Sequence, residues 1–310
     1  MIKTQIDFMK ARKVAAAISV VLIVVSIGSL LTRGLNFGLD FTGGTLLEVG
    51  FEEAIDPEEI RRALAGADYV NVMVQNFGSD RELLIRVPPQ EDIDQSLLAD
   101  ELTAFLQEYR PGTDLRRAEF VGPAVGEELR ESGGLAMIVA LAAVLLYIMF
   151  RFAGKFAVGS VAALVHDVII IFGAFSLVQW TFDLPALAAV LAVIGYSLND
   201  TIVVYDRIRE NFRVIRRSTP VETINIALNQ VLSRTIITSF TTLLVLFSLL
   251  IFGGAQVQGF ADALIVGVVV GTFSSIYVAA NLLLSMGVTR DDLVVAEKDD
   301  EDEEDARQRT

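Results

Sequence analysis

Six stretches of the chain are almost continuously apolar for eighteen residues or more: 14–31, 133–150, 156–178, 184–204, 235–252 and 263–284. A helix rises 1.5 Å per residue, so about twenty such residues cross the hydrocarbon core of a bilayer. Each stretch therefore predicts a transmembrane helix. The first follows Lys3, Lys10, Arg12 and Lys13. It is longer than the apolar core of a signal peptide, and no A-x-A cleavage pattern follows it, so it reads as an uncleaved anchor.

Between the first two stretches the pattern changes. Residues 45–51 (TLLEVGF) and 69–75 (YVNVMVQ) alternate apolar and polar, as half-buried strands do. Asp56-Pro57-Glu58-Glu59 starts a helix to Leu64, with Asp as N-cap and Pro in the first turn. A Gly78-Ser79-Asp80 turn leads into strand 82–87, which makes a hairpin. Residues 96–109 carry Leu98, Leu102, Phe105 and Leu106 at helical spacing, Pro111-Gly112 ends that helix, and 114–121 is a last strand. The order βαββαβ is the split-βαβ, ferredoxin-like pattern. The predicted fold is a polytopic α-helical membrane protein with six transmembrane helices and a small α+β ferredoxin-like outer domain at 32–132.

Orientation follows from basic residues in short loops. The N-terminus (1–13), the turn with Arg151 and Lys155, and the loop with Arg207, Arg209, Arg213, Arg216, Arg217 and Arg234 are basic; loops 179–183 and 253–260 hold no Lys or Arg. The expectation is that both termini are cytoplasmic and 32–132 lies outside, since long loops translocate largely regardless of charge.

Composition narrows function by exclusion. The 310-residue chain has 53% hydrophobic residues, no cysteine and a formal charge of −14. Disulfides, thiolate metal sites and thiol catalysis are excluded. Much of the negative charge lies in the tail 286–310, from Asp291 to Asp305, and reads as a solvated block. No nucleophile–base set, phosphate loop or metal-ligand cluster is present. The Gly43-Gly44 pair lacks the spacing of a nucleotide fingerprint. The chain is expected to be no enzyme, with no cofactor.

The informative residues are polar side chains inside the apolar stretches. Asn199 and Asp200 are the strongly polar ones in 184–204. A carboxylate at this depth costs at least about 2.5 kcal/mol, and such residues usually face a bundle interior or a wet path and handle ions or protons. Asp200 sits roughly 7 Å cytoplasmic of the span's midpoint. Gly195, five residues earlier, predicts close approach of a neighbouring helix. His166, the one histidine, and Asp167 lie mid-span; adjacent helical positions diverge by about 100°, which predicts that they do not touch each other. Arg234 opens the fifth stretch at a depth like that of Asp200, as an interfacial arginine or as its counter-charge. Thr235, Thr238 and Ser239 continue a hydroxyl stripe there. Gly267-x3-Gly271 with Ser274 and Ser275 marks the last span as closely packed.

Six motifs run in order through the chain: GLDFTGGT at 38–45, VGPAVGEEL at 121–129, HDV at 166–168, GYSLNDTIVVYDRIREN at 195–211, SRTIITSFTTLL at 233–244 and GTFSSIYVA at 271–279. Together they resemble the SecD/SecF family of protein-export membrane subunits, on its SecF side, within the resistance–nodulation–division (RND) superfamily. The resemblance implies a six-span half-bundle that pairs with a SecD subunit, has YajC as accessory and associates with the SecYEG channel in a bacterial cytoplasmic (inner) membrane. It implies use of the proton-motive force to draw preproteins out of the channel after SecA has driven them in. It assigns Asp200 and Arg234 to the proton pathway. Asn199, His166, Asp167, Thr235, Thr238 and Ser239 are supporting polar candidates. The other functions weighed are a self-contained RND exporter of small molecules or ions, and a scaffold subunit of the channel without proton coupling.

Overall fold

The computed structural model describes residues 6–90, 97–152, 154–215, 217–289 and 292. In chain order, α1 (Arg12–Arg33) is followed by the short α2 (Leu39–Thr42), β1 (Gly44–Gly50), α3 (Pro57–Gly66), β2 (Met73–Phe77) and β3 (Ser79–Val87). Then come α4 (Leu98–Tyr109), β4 (Asp114–Val121), α5 (Pro123–Arg151), α6 (Lys155–Val178), α7 (Leu184–Val214) and α8 (Pro220–Phe252). The last apolar helix is α9 (Gln258–Phe273), a π-helical turn (Ser274–Ala279) and α10 (Ala280–Ser285). Six of these helices are long and apolar enough to cross a membrane, with Gln258–Ser285 counted as one. The chain forms two units, Phe37–Met137 and the rest, and the division falls within α5.

In the α+β unit the four strands pair antiparallel in the order β2-β3-β1-β4. Thr45 lies opposite Val87 on one side and Phe120 on the other. Alternation sends Leu47, Val49, Leu83, Ile85 and Val87 into the core, where Ile60 and Leu64 of α3 and Leu98, Leu102 and Leu106 of α4 meet them. Each such buried side chain contributes about 1.5–3 kcal/mol relative to exposure. Asp56 caps α3 by accepting from the Glu58 amide, as its place before Pro57 predicts.

Two strand boundaries differ from the sequence expectation. Residues 69–72 are not strand, and β2 begins at Met73. The reason is backbone: Asp68 (φ 65°) and Asn71 (φ 58°) are left-handed, which turns the chain before it can pair. β3 begins at Ser79, because the hairpin closes so tightly that Phe77 already faces Ser79 across Gly78. Ser96, the expected start of the α4 helix, lies outside the described residues.

Gly43 and Gly44 join α2 to β1, with φ of +66° and +113°. A Cβ on Gly44 would lie 2.5 Å from the Val87 carbonyl oxygen, and one on Gly43 would lie 2.9 Å from Pro123 Cα. These glycines are required by conformation and by space together.

In the helical unit, small residues let helices touch. The buried Ser29 of α1 bonds Ser176 of α6 at 2.8 Å, beside the close approach of Gly173 to Ser26. On α9, a Cβ at Gly267 would lie 2.2 Å from Val193 of α7, and one at Gly271 would lie 3.3 Å from Ser197 Cβ. Gly195, expected to fill this role, has open space around it; the close approach is made by the glycines of α9 instead. Phe152 and Phe156 stack on each other and each packs edge to face with Tyr205, which donates to the Ala279 carbonyl at 3.0 Å. Helices run beyond the apolar stretches they contain. The first turns of α8, capped by Thr219 and Glu222, bury Ile224, Ala227, Leu228 and Val231, while Asn225 and Asn229 bond the backbone of Met9 and Ile6. Hydropathy marks what can lie in lipid, and the helical backbone is free to continue past it. Residues 293–310, most of the acidic tail, are outside the described residues.

Candidate functional site

Two carboxyls from neighbouring helices meet hydroxyls of the last helix at one level of the bundle. Asp200 of α7 is half-buried. Its Oδ1 accepts from Thr235 Oγ1 of α8 at 2.9 Å, and its Oδ2 accepts from Ser275 Oγ of the π turn at 2.5 Å. Thr235 is buried because it points inward from α8 at this level. Asp167 of α6 is fully buried. Its Oδ2 accepts from Ser197 Oγ of α7 at 2.5 Å and from Ser274 Oγ at 2.7 Å.

The π turn makes this arrangement. Consecutive side chains of a helical turn diverge, so Ser274 reaches Asp167 of α6 and Ser275 reaches Asp200 of α7. A π turn inside an α-helix frequently marks a functional site. The hydroxyls have a second acceptor each: Gly271 O lies 3.2 Å from Ser274 Oγ, and Thr272 O lies 3.1 Å from Ser275 Oγ. Beside them Ser239 Oγ and Thr272 Oγ1 are 2.6 Å apart, and Tyr196 donates to Ser239 at 3.3 Å.

The structure brings together Asp200, Thr235 and Ser239 and separates others. Arg234 is exposed and makes no ion pair with Asp200 within 4.0 Å, although its charge acts on the carboxyl through space. Thr238 is exposed, its hydroxyl bonding back to the Arg234 and Thr235 carbonyls, as threonines in helices commonly do. Asn199 is exposed and carries no hydrogen bond among the described residues. His166 and Asp167 do touch, against expectation: Nδ1 lies 2.8 Å from Oδ1. The imidazole reaches sideways along the helix to a carboxyl already fixed by two serines, so side-chain length overrides the divergence of adjacent positions. Near the end of α7, Asp206 pairs with Arg151 of α5, while Arg209 lies over the Phe152 and Phe156 rings.

Sequence reasoning missed Ser197, Ser274 and Ser275 as carboxylate partners. The signal for the last two was present, as two adjacent hydroxyls within an apolar helix, but helical periodicity gives no register for a π turn. Among the described residues no group of acidic side chains and histidine is placed to hold a metal ion.

Comparison with known proteins places this arrangement in context. Residues 101–289 match the family model of the protein export membrane protein SecD/SecF, C-terminal, and residues 28–55 match the SecD/SecF GG motif, which contains Gly43 and Gly44. The protein translocase subunit SecF of Pseudomonas aeruginosa is 50% identical over 93% of this chain and 94% of its own length. That of Escherichia coli O157:H7 is 44% identical over 93% of this chain and 90% of its own. The crystal structure of SecDF, a translocon-associated membrane protein from Thermus thermophilus, superposes with a TM-score of 0.82 at 38% identity and covers 92% of this chain. The present chain spans 39% of the length of that SecDF chain. On these matches, which run through both units and include the carboxyl-bearing helices, the chain belongs to the SecD/SecF family of protein-export membrane proteins, as a member of SecF type.

Proposed function

We propose that this chain serves protein export as the SecF-type half of a larger membrane assembly, and that Asp200 couples export to the proton-motive force. The observation that carries the coupling is a half-buried carboxyl in an apolar helix, held by hydroxyls from two other helices. A carboxyl so placed changes its interactions with both neighbours when it gains or loses a proton. The entering proton neutralises Asp200, the hydrogen bonds to Thr235 and Ser275 reorganise, and the helices repack. One charge crossing the membrane releases about 2.3 kcal/mol per 100 mV, enough to reverse a modestly biased two-state equilibrium. Arg234 takes part as a charge acting across a gap, not as a fixed ion pair.

The partner is a SecD-type subunit. Support comes from the exposed apolar side chains of α5 (Ile138, Val139, Leu146, Met149) and α8 (Ile236, Ile237, Phe240, Val245), from exposed Arg234 among the latter, and from the length of SecDF relative to this chain. The helical unit is then an RND-type half-bundle. YajC, the SecYEG channel and SecA complete the export machinery, in the inner membrane with both termini cytoplasmic. The α+β unit is ferredoxin-like, a reading supported by its strand order and antiparallel pairing, and acts on the emerging unfolded preprotein.

The test is preprotein release from membrane vesicles, with and without an uncoupler. Wild-type vesicles lose release on uncoupling, and Asp200→Asn vesicles start at the uncoupled level. Normal, uncoupler-sensitive release by Asp200→Asn refutes the coupling role. Uncoupler-insensitive release by wild type favours the scaffold reading.

A further inference from the structure

The cycle above leaves one buried titratable pair unused. Asp167 is 0% exposed and His166 is 4% exposed. Asp167 is satisfied by three partners, Ser197, Ser274 and His166. His166 is not: its Nε2 is buried and has no hydrogen-bond partner among the described residues. A buried polar atom without a partner is costly, and such atoms in native structures call for an explanation. With Nδ1–H directed at Asp167, Nε2 carries a free lone pair. Its protonation makes an imidazolium already in contact with a carboxylate, the arrangement in which a buried charge is tolerated.

We infer that Asp167 with His166 forms a second protonatable station, and that Ser274 and Ser275 couple it to Asp200 through the π turn they share. The inference rests on Asp200 being the proton-coupled carboxyl. Each serine has one hydrogen and two acceptors. While Asp200 is ionised, Ser275 donates to its Oδ2, 2.5 Å away. When Oδ2 takes up a proton, that O–H donates to Ser275 Oγ, and the serine turns its own hydrogen to the Thr272 carbonyl at 3.1 Å. At the second station the added proton enters at His166 Nε2 and the Nδ1 proton passes to Asp167 Oδ1, which neutralises the carboxyl; Ser274, its bond to Oδ2 at 2.7 Å weakened, then turns its hydrogen to the Gly271 carbonyl at 3.2 Å. No proton passes between the serines. One proton is added per station, and each hydroxyl reports the charge of its carboxyl to a backbone carbonyl one turn earlier.

Because the two serines are consecutive, a shift of the turn at one changes the geometry at the other. The packed core offers discrete arrangements rather than continuous ones. Other groups facing this level are Arg234, which acts on Asp200 through space, Tyr196, bonded to Ser239, Tyr205, bonded to Ala279 O, and Tyr277, packed on Phe8 and Phe273. Of these, only Arg234 brings a fixed charge. α1, packed on the other side of α6, presents Ser26 and Ser29.

The experiment is a pH titration of the full chain, assembled with its SecD-type partner in vesicles, followed by difference infrared of protonated carboxyls. Asp200→Asn and Asp167→Asn assign the bands. Ser274→Ala, whose hydroxyl touches Asp167 and not Asp200, is expected to move the Asp200 midpoint by roughly one pH unit, a tenfold change in proton affinity. His166→Gln keeps a polar side chain of similar reach and is expected to do the same; Ser274→Thr restores the wild-type midpoint. These variants keep the test decisive if Asp167→Asn fails to fold. An Asp200 that titrates in the wild type but whose midpoint is unmoved in both Ser274→Ala and His166→Gln overturns the coupling alone. An Asp200 that never titrates overturns the proposed function and this inference with it.

Discussion

A carboxyl among apolar side chains must be met by donors, and Asp200 takes one from each side, Thr235 on α8 and Ser275 on the π turn. Hydrogen bonds to a charged group contribute about 1.5–3 kcal/mol each. Thr235→Val keeps the shape and removes the donor, so it is expected to lower uncoupler-sensitive export about tenfold, the equivalent of roughly 1.4 kcal/mol. Thr235→Ser retains the hydroxyl and most of the activity. Release assays on vesicles containing each variant check this; equal activity of the two would mean the hydroxyl is incidental. Asp200 itself stood out in the sequence because an acid in a long apolar stretch is expensive wherever it points. Its partners did not, because Ser and Thr are common in membrane helices for reasons of packing. The geometry of the site depends on a change of helical register at Ser274, which no hydrophobic period encodes.

Elements meet where glycine allows it. Gly267→Leu drives a side chain into Val193, which a Cβ alone would approach to 2.2 Å. Overpacking of this kind costs about 1–3 kcal/mol, so the purified protein in detergent is expected to melt several degrees lower, with α7 and α9 separating. Gly195→Leu faces open space and is expected to leave the melting temperature unchanged. In the α+β unit, Gly44→Ala combines φ of +113° with a 2.5 Å contact to Val87 O and is expected to destabilise that unit by about 1–3 kcal/mol, read as faster limited proteolysis within 37–137. The strand expected at 45–51 and observed at Gly44–Gly50 was legible from alternation, and α3 from its Asp56-Pro57 start, because these signals are local. β2 was misplaced because the left-handed turns at Asp68 and Asn71 are carried by residues that tolerate that conformation without announcing it. The pairing of His166 with Asp167 was missed because the reach of the two side chains overrides the divergence of adjacent helical positions.

At the scale of the whole molecule, the helical unit leaves apolar faces of α5 and α8 uncovered. Lipid or another subunit covers them in the membrane, and the α8 face around Arg234 is the one proposed to meet the SecD-type partner. Ile237→Arg with Phe240→Arg alters that face without touching the buried residues of the unit. Copurification with the partner is expected to be lost while the isolated chain keeps its melting temperature; retained copurification would place the partner elsewhere. The central claim is that Asp200 changes protonation as export proceeds. The most direct measurement is time-resolved infrared on vesicles engaged in preprotein release, with the Asp200 band identified through Asp200→Asn. When a proton gradient is imposed, the account predicts that the protonated-carboxyl signal of Asp200 rises and falls in step with release and is abolished by an uncoupler. A constant signal through continued gradient-driven release would contradict it.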